Sequence, residues 1–331
     1  MGHSPMPIEP RDPNLLTVGL AQVAPVWLNR AATLEKVNSY IEQAAREGCD
    51  LVAFGEALVP GYPFWLELTD GARFNSTLQK TIFSEYADHA IQPEAGHLDR
   101  LRETAAKRSI AVFLGCVERA ADRGGHSLYC SLMFIDRTGG IGSVHRKLMP
   151  TYEERLVWSA GDGNGLRTHR MGPFHVGGLN CWENWMPLPR ASLYAQGEDL
   201  HIAVWPGSIR NTRDITRFIA LESRSYVVSV SGLMRREDIA ASPTASSAWR
   251  DLVAAASPDL LANGGSCVAG PDGEWLVAPC DPVERLFVAA IDHRKVLEER
   301  QNFDPSGHYS RPDVTRLEVN RKRQSVVGLS D

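Results

Sequence analysis

Short apolar segments alternate with an amphipathic helical segment near the start of the chain, and this alternation limits the possible folds more than any other feature. Residues 15–21 form an apolar run that predicts a buried strand, and apolar residues then recur at helical spacing over residues 34–45. Residues 50–56 form a second apolar run, which ends at Glu56. A strand, a helix and a strand in this order imply neighbouring parallel strands. The sequence therefore predicts an α/β fold with Glu56 at the carboxyl edge of a sheet.

The same order of elements recurs in the second half of the chain, without a repeat at the level of individual residues. There the predicted strands and helices alternate, over residues 174–180, 189–197, 200–205, 212–225 and 226–231. The other predicted helices and strands lie at 76–90, 95–108, 109–115, 128–135, 141–146, 267–270, 274–277 and 285–291. The weakly patterned segment 234–264 predicts a surface excursion with some helix.

Composition limits the domain organisation, location and partners that we expect. The chain has 331 residues, 43% of them hydrophobic, which is enough for one large α/β domain or two smaller ones. The net charge of -5 gives no electrostatic reason for a nucleic-acid or anionic-membrane partner. The sequence has no apolar run long enough for a membrane span, and its first residues lack a secretory core, which predicts the cytoplasm. The six cysteines show no CxxC spacing, which argues against a disulfide framework or a structural zinc site.

Three residue types that suit thiol catalysis lie at the ends of separate predicted strands. Glu56 and Lys147 each follow a strand, and Cys181 lies between a strand and a helix that Pro187 and Pro189 open. A thiol on such a turn faces ligands at the carboxyl edge of a sheet, where helix-start amides stabilise a thiolate. Taken one at a time, the cysteine is usually a buried hydrophobe and the two ions are usually solvated charges. Their joint placement favours a catalytic group.

Segments around these residues resemble the nitrilase superfamily of carbon-nitrogen hydrolases. Residues 54–56 with 60–63 look like the glutamate motif of the family, and residues 145–151 look like its lysine motif. Residues 178–184 look like its cysteine motif, in the form typical of true nitrilases. Residues 308–313 also resemble a late nitrilase signature. The likeness spans roughly residues 15 to 320.

The resemblance implies a domain organisation, a fold and a reaction. The implied organisation is a single domain over 1–331, with a core at about 15–295 and a tail at 296–331. The implied fold is a four-layer αββα sandwich, in which Glu56, Lys147 and Cys181 form the catalytic triad. Alignment on the lysine motif adds Glu154 as a further catalytic glutamate, in preference to Glu153. The implied reaction is hydrolysis of an organic nitrile to a carboxylic acid and ammonia through a covalent cysteine intermediate, with no metal and no organic cofactor. The family also implies a homodimer or a larger spiral.

Several residues near the motifs are candidates for the substrate pocket. Residues 60–65 form an aromatic-rich turn that suits a pocket wall. The substrate-binding candidates are Tyr62, Trp182, Trp205 and Pro206. Core packing is an equally good interpretation of Trp205. We expect Glu183 to be a structural hydrogen-bonding group, and Glu222 to be a buried, paired carboxylate at a subunit contact.

Other functions remain open at this stage. An amidase or carbamoyl-amide hydrolase of the same superfamily would use the same triad, and so would a cyanide-degrading enzyme. A catalytically silent filament subunit would keep the fold without the activity. A metal site built from His169, His175, Cys181 and His201 matches no common ligand spacing, and the glycine-rich residues 161–165 lack both Walker and dinucleotide spacing.

Overall fold

The computed structural model of the chain describes residues 12–326. The amino-terminal residues used for the cytoplasmic prediction lie outside the described residues, as does part of the predicted tail. The strands are β1 (Leu15–Gln22), β2 (Leu51–Phe54), β3 (Ala111–Arg119), β4 (Leu128–Ile135), β5 (Ile141–Arg146), β6 (His169–Met171), β7 (Phe174–Asn180), β8 (Leu200–Trp205), β9 (Tyr226–Ser231), β10 (Leu233–Arg235), β11 (Leu260–Asn263), β12 (Cys267–Ala269), β13 (Trp275–Val277) and β14 (Arg285–Asp292).

The helices are distributed between the strands in a pattern that gives each large sheet its own outer cover. They are α1 (Arg30–Arg46), α2 (Trp65–Leu68), α3 (Thr77–Asp88), α4 (Asp99–Arg108), α5 (Pro187–Tyr194), α6 (Ile209–Ser223), α7 (Arg236–Ala240), α8 (Ser247–Ala256) and α9 (His293–Arg300). The first of them begins where the Asn29 side chain accepts a hydrogen bond from the amide of Ala32 at 3.0 Å. Within residues 12–326, none of the helices has the length and apolar character needed to cross a bilayer.

Two six-stranded sheets carry the fold, and they have the same plan. The first has the order β14-β1-β2-β3-β4-β5, and the second has the order β13-β12-β9-β8-β7-β6. In the first sheet β1, β2 and β3 are parallel, and in the second β7, β8 and β9 are parallel. The outer strands of both sheets are antiparallel to their neighbours. The two halves of the chain therefore have the same order of elements, as the sequence pattern predicts.

The two sheets pack face to face, and helices cover their outer faces. The largest buried cluster joins Val18 and Phe134 of the first sheet to Val176, Ile202 and Val228 of the second. A second cluster packs the first sheet against α1 and α4, and another packs the second sheet against α6. The layers are therefore helix, sheet, sheet and helix, which confirms the predicted αββα sandwich.

Segment 234–264 is more ordered than the sequence pattern predicts. It contains β10, α7, α8 and β11, and β10 pairs with β11 in a small separate sheet. Trp249 of α8 is buried against Trp27 and Trp65, with ring centroids 4.8 and 6.1 Å apart. The segment thus packs into a further buried cluster that it shares with residues from the first half of the chain. The Ala- and Ser-rich pattern did not predict this packing, because it depends on contacts with residues distant in sequence.

The predicted helix limits differ from the observed ones by a few residues. Helix α5 begins at Pro187 and ends at Tyr194, whereas the pattern predicts residues 189–197. Helix α6 covers Ile209–Ser223 instead of 212–225, since Arg224 has a left-handed φ of 51° and ends the helix. Neither difference moves a predicted site residue.

Candidate active site

Glu56 lies just beyond the carboxyl end of β2, between the two sheets. Its backbone amide donates to the carbonyl of Trp205 at 3.1 Å, which joins the end of β2 to the end of β8. A Cβ atom at Gly115 would lie 2.1 Å from the Gly55 carbonyl oxygen, so only glycine lets β3 pass this close. The Glu56 side chain is completely buried. The sheet edge therefore holds this carboxylate away from bulk water.

Lys147 directly follows β5, and its side chain is completely buried. The ammonium Nζ donates to Glu56 Oε1 at 2.8 Å and to Glu154 Oε2 at 2.7 Å. Burial alone lowers the pKa of Lys147, but Glu56, Cys181 and Glu154 together raise it well above its usual value. The lysine is thus held as a cation between two carboxylates.

Glu154 lies in a short 3-10 turn, Tyr152–Leu156, that follows the lysine. Its Oε2 accepts a hydrogen bond from the backbone amide of Thr151 at 2.6 Å, in a capping box that fixes the start of the turn. Its Oε1 accepts a hydrogen bond from the Tyr62 hydroxyl at 2.8 Å. Three hydrogen bonds, from Lys147, Tyr62 and the Thr151 amide, therefore hold this carboxyl group in place.

Cys181 begins the short turn Cys181–Trp185 at the end of β7. Its backbone has a φ of 45°, a left-handed conformation that residues with a side chain seldom adopt. The sulfur and one carboxylate oxygen each of Glu56 and Glu154 all lie within 4.8 Å of one another. The structure therefore brings together all four residues that the sequence predicts as catalytic.

The electrostatics of the group keep the resting thiol neutral. Burial, together with Glu56, raises the pKa of Cys181 well above its usual value, although Lys147 and the backbone amide of Trp182 act in the opposite direction. Burial also raises the pKa of Glu56 to about 7, with Lys147 opposing this shift and Glu154 adding to it. Among the described residues, Glu56 Oε2 is a buried oxygen that has no hydrogen-bond partner. This oxygen is available to accept a proton.

Glu183 connects the segment that carries the lysine to the turn that carries the cysteine. Its Oε1 accepts a hydrogen bond from the amide of Leu148 at 2.6 Å, and its Oε2 accepts one from the amide of Asn180 at 2.9 Å. His145 Nε2 lies 3.0 Å from the same carboxyl group. Burial raises the pKa of Glu183, but His145 and the two amides outweigh it and hold the pKa below its usual value. The expected structural role of Glu183 agrees with these contacts.

A narrow cleft leads to Glu56, with room for about one water molecule (about 10 Å³). Tyr62 and Pro206, two of the predicted substrate-binding residues, line this cleft. The aromatic-rich turn contributes Phe64 as a further wall residue. The cleft is also lined by apolar residues that the sequence pattern did not predict, namely Val23, Pro25, Leu58, Leu233 and Met234. Several of these follow the ends of β1 and β9, so the strand-end rule that found Glu56 could have found them.

The two tryptophans predicted to bind substrate do not line this cleft in the described part of the chain. Trp205 is completely buried in the cluster with Ile215 and Ile219 of α6, and its Nε1 donates to Ser229 Oγ at 3.3 Å. It is a core residue, because the last side chain of β8 faces the outer helix layer. Trp182 is 54% exposed, so its side chain covers the surface beside the nucleophile turn.

Glu56, Glu154 and Cys181 could in principle hold a metal ion, and they are the one such group among the described residues. The Lys147 ammonium already lies between the two carboxylates, at hydrogen-bond distance from both. A divalent cation there would meet a fixed positive charge. His201, one member of the rejected histidine cluster, instead contacts Glu198 and Asn184.

Comparison with known proteins identifies the family of the chain. The family model described as Carbon-nitrogen hydrolase matches residues 17–301. The chain is 36% identical over 318 residues to "Nitrilase 2" from an unknown prokaryotic organism, with 96% of each protein covered. It is 32% identical to "Aliphatic nitrilase" from Rhodococcus rhodochrous, over 94% of this chain and 80% of the relative.

Solved structures show the same fold at low sequence identity. The NitFhit protein of C. elegans superimposes with a TM-score of 0.70 at 18% identity, over 96% of this chain and 70% of that protein. This likeness supports the sandwich architecture and no more than that. The family model and the relatives above 30% identity together show that this chain belongs to the carbon-nitrogen hydrolase family, in its nitrilase branch.

Proposed function

We propose that this protein hydrolyses an organic nitrile to the carboxylic acid and ammonia, with Cys181 as the nucleophile. One observation carries the proposal, which is that the Cys181 sulfur and the carboxylate oxygens of Glu56 and Glu154 lie within 4.8 Å of one another beside a buried lysine. Similarity to proteins named as nitrilases supports the choice of a nitrile as the substrate. The roles given to the residues below are part of this proposal.

Thiol activation is the first step. The neutral thiol is a weak nucleophile, and the unpartnered Oε2 of Glu56 is placed to take its proton as the sulfur attacks the nitrile carbon. A carboxyl group with a pKa of about 7 is well matched to this transfer near neutral pH. The carbon-sulfur bond forms as the carbon-nitrogen triple bond becomes a double bond.

Charge then develops on the substrate nitrogen. The Lys147 ammonium and the backbone amide of Trp182 both favour negative charge at the sulfur, and we assign them the stabilisation of the charge on the nitrogen. The proton that Glu56 accepted passes to the nitrogen and completes a thioimidate. Addition of water gives a tetrahedral intermediate, loss of ammonia leaves a thioester, and a second water releases the acid and restores the thiol. Glu56 activates both waters.

Glu154 supports the reaction from the other side of the lysine. Its contact with Lys147 at 2.7 Å orients the ammonium, and the Tyr62 hydroxyl and Thr151 amide hold the carboxylate in turn. Tyr62 therefore acts on the site through Glu154 as well as by lining the cleft. The apolar lining of that cleft favours an uncharged nitrile.

An amidase is the second candidate, because the same four residues suit attack on an amide carbonyl. Ammonia release from a nitrile and from the corresponding amide separates the two. We expect nitrile turnover to exceed amide turnover, and brisk amide turnover without nitrile turnover would replace the proposal. The Cys181→Ala variant provides the blank, and Cys267→Ala provides the control for loss of a buried thiol elsewhere. Including cyanide in the panel tests the cyanide-degrading alternative, and no thiol-dependent turnover at all would favour the silent filament subunit.

We also propose a homodimer built on α5 and α6. Leu188, Phe218 and Leu221 are exposed apolar residues on these helices, and the Arg190 guanidinium lies over the Phe218 ring at 5.5 Å. Glu222 pairs with Arg190 at 2.9 Å but is only partly buried in the single chain, and burial at a subunit contact would complete the predicted environment. Light scattering of Phe218→Glu against the unaltered protein tests this, since a monomeric variant is the expected result.

Location and domain organisation stay proposals as well. All six cysteines are free thiols, and five of them are buried, which suits the reducing cytoplasm. We propose one catalytic domain at about residues 15–295, followed by the tail. The partners we expect are the nitrile and water, with no nucleic acid and no membrane, because the net charge is only -5.

A further inference from the structure

A chain of three buried polar side chains lies behind the nucleophile turn. Glu198 precedes β8, His201 is on β8, and Asn184 is in the turn Cys181–Trp185; each of the three is completely buried. His201 Nδ1 lies 2.9 Å from Glu198 Oε1, and His201 Nε2 lies 2.8 Å from Asn184 Oδ1. Buried polar groups are costly unless their partners are well placed, so the chain needs an explanation.

The far end of the chain holds the backbone of the cysteine itself. Asn184 Nδ2 donates to the carbonyl of Cys181 at 2.8 Å and more weakly to that of Leu179 at 3.3 Å. Cys181 is the residue with the left-handed φ of 45°. A carbonyl that is held from inside the turn opposes relaxation of this conformation. The contact therefore acts on the direction in which the sulfur points.

The hydrogen-bond partners fix where the protons lie. Because the Asn184 amide nitrogen donates to two carbonyls, its Oδ1 must accept, and His201 Nε2 must carry a hydrogen. One further proton is then shared between His201 Nδ1 and Glu198 Oε1, on either side of the 2.9 Å contact. The pair is neutral overall in both arrangements, which suits a site without solvent.

The backbone of β7 leaves room for the Glu198 carboxyl group beside His201. A Cβ atom at Gly177 would lie 2.2 Å from Glu198 Oε1, so a side chain on this part of β7 would displace the carboxyl group. Glu198 Oε2 has no hydrogen-bond partner among the described residues, so the pairing with His201 is the main polar contact of this carboxyl group. The charged neighbours are Asp199 and Arg300, and Arg300 donates to the Glu198 backbone carbonyl at 2.6 Å.

We propose that Glu198, His201 and Asn184 are positioning residues that hold Cys181 in its strained conformation through hydrogen bonds to the nucleophile turn. The proposal rests on the proposed role of Cys181 as nucleophile. In this role the three residues act through the turn and do not touch the substrate. The role also explains why a glutamate and a histidine are buried on the far side of the turn from the cleft.

His201→Phe removes both hydrogen bonds of the imidazole while keeping a ring of similar size. We expect kcat to fall by about 10- to 100-fold with KM within about twofold, as is typical when a supporting shell is lost. The rate at which iodoacetamide alkylates Cys181 should fall in parallel, with Cys181→Ala used to identify the labelled peptide. The matched control is His293→Phe, because His293 pairs with Asp199 at 2.9 Å in the same way but does not reach the turn.

Substitution of Glu198 tests the same proposal even where His201→Phe folds poorly. Glu198→Gln keeps a donor for His201 Nδ1, because the proton arrangement above needs only one shared hydrogen, and we expect activity within about threefold of the unaltered protein. Glu198→Ala loses the contact and should match His201→Phe. Equal effects of Glu198→Gln and Glu198→Ala, or of His201→Phe and His293→Phe, would overturn the proposal.

The two readouts separate this proposal from the proposed function. Slower alkylation of Cys181 in Glu198→Ala, in a protein that hydrolyses neither nitrile nor amide, would support positioning and remove the hydrolase function. Normal hydrolysis by Glu198→Ala, with an unchanged alkylation rate and an unchanged kcat, would support the hydrolase function and overturn the positioning role.

Discussion

Glu183 accepts a hydrogen bond from the backbone amide of Leu148 at 2.6 Å, and this contact joins the first sheet to the second at the active site. Leu148 follows β5, whereas Glu183 lies in the turn after β7. The other oxygen of Glu183 holds the amide of Asn180 at 2.9 Å. The Glu183 carboxylate therefore sets the distance between the lysine and the cysteine through backbone amides, and not through hydrogen bonds to either side chain.

The Glu183→Gln variant tests this connection. A glutamine side chain has one acceptor oxygen, so its NH2 group would face either the Leu148 or the Asn180 amide, which is also a donor. We expect the free energy of unfolding to fall by about 2–4 kcal/mol and kcat to fall by at least about tenfold. Urea unfolding and steady-state kinetics measure the two effects.

Glu85→Gln is the control, because Glu85 also accepts a backbone hydrogen bond, from Ser246, but lies in the α3 layer. It should change stability without changing kcat. An unaltered kcat in Glu183→Gln would show that the distance between the sheets is set by other contacts.

Lys147→Met should remove activity and also weaken the fold. The substitution keeps much of the side-chain volume but leaves Glu56 and Glu154 buried without their cation. We expect kcat/KM to fall by about 100- to 1,000-fold, since one charge-stabilising donor is worth about 3–4 kcal/mol. Breaking the buried ion pair should also cost about 3–5 kcal/mol of stability.

Arg146→Met is the matched control for this loss of a buried cation. Arg146 is the preceding residue and also pairs with two carboxylates, Glu118 at 2.7 Å and Asp122 at 2.6 Å. It should lose stability while keeping kcat within about tenfold of the unaltered protein. Comparable loss of kcat in both variants would mean that Lys147 acts through stability alone.

The pH dependence of kcat/KM should have an acid limb near pH 7. The pKa of Glu56 is raised to about 7 by burial, and only its ionised form can take the proton of Cys181. Below this pH the carboxyl group is protonated, so the rate falls as pH decreases and rises as pH increases through 7. Initial rates across pH 5 to 9 in a constant-ionic-strength buffer measure this. A limb centred near the ordinary glutamate value would contradict the assignment of Glu56 as the base.

Substitutions of Cys130 should shift the acid limb of the kcat/KM profile to higher or lower pH. Its buried thiol donates to Glu56 Oε1 at 3.4 Å, and this hydrogen bond lowers the pKa of Glu56. Cys130→Ala removes the donor and should move the acid limb to higher pH, whereas Cys130→Ser supplies a stronger donor and should move it to lower pH. Cys267→Ala should leave the limb in place, because its sulfur contacts Thr216 instead. Identical profiles for both Cys130 variants would show that this contact does not tune the base.

Metal removal should leave the activity intact. The two carboxylates that could bind an ion are already paired with the Lys147 ammonium. Dialysis against a chelator, followed by assay and by metal analysis of the protein, checks this expectation. Loss of activity that returns on adding one specific metal would require a different mechanism.

Much of the site was predictable because strand ends converge in a physically simple way. Glu56, Lys147 and Cys181 each follow a strand, and side chains at the carboxyl edges of neighbouring strands meet without any detailed knowledge of packing. Glu154 was found through the lysine motif, and its capping box with Thr151 shows how the local sequence fixes it.

Contacts between the sheets were not predictable in the same way. The bond from Leu148 to Glu183 and the bond from His201 to Asn184 depend on how elements that are distant in sequence lie in space. The sequence leaves a pocket wall and core packing as equally good interpretations of Trp205, and in the structure alternation along β8 turns its side chain toward α6. The exposed fraction of Trp182 likewise depends on the geometry of a single strained turn.

The account depends most on covalent chemistry at Cys181, and mass spectrometry of the acid-quenched enzyme during nitrile turnover tests it most directly. We expect the peptide that contains Cys181 to gain the mass of the acyl or imidoyl group, and we expect neither the adduct nor turnover in Cys181→Ala. Steady turnover without any adduct on this peptide, or turnover that persists in Cys181→Ala, would contradict it.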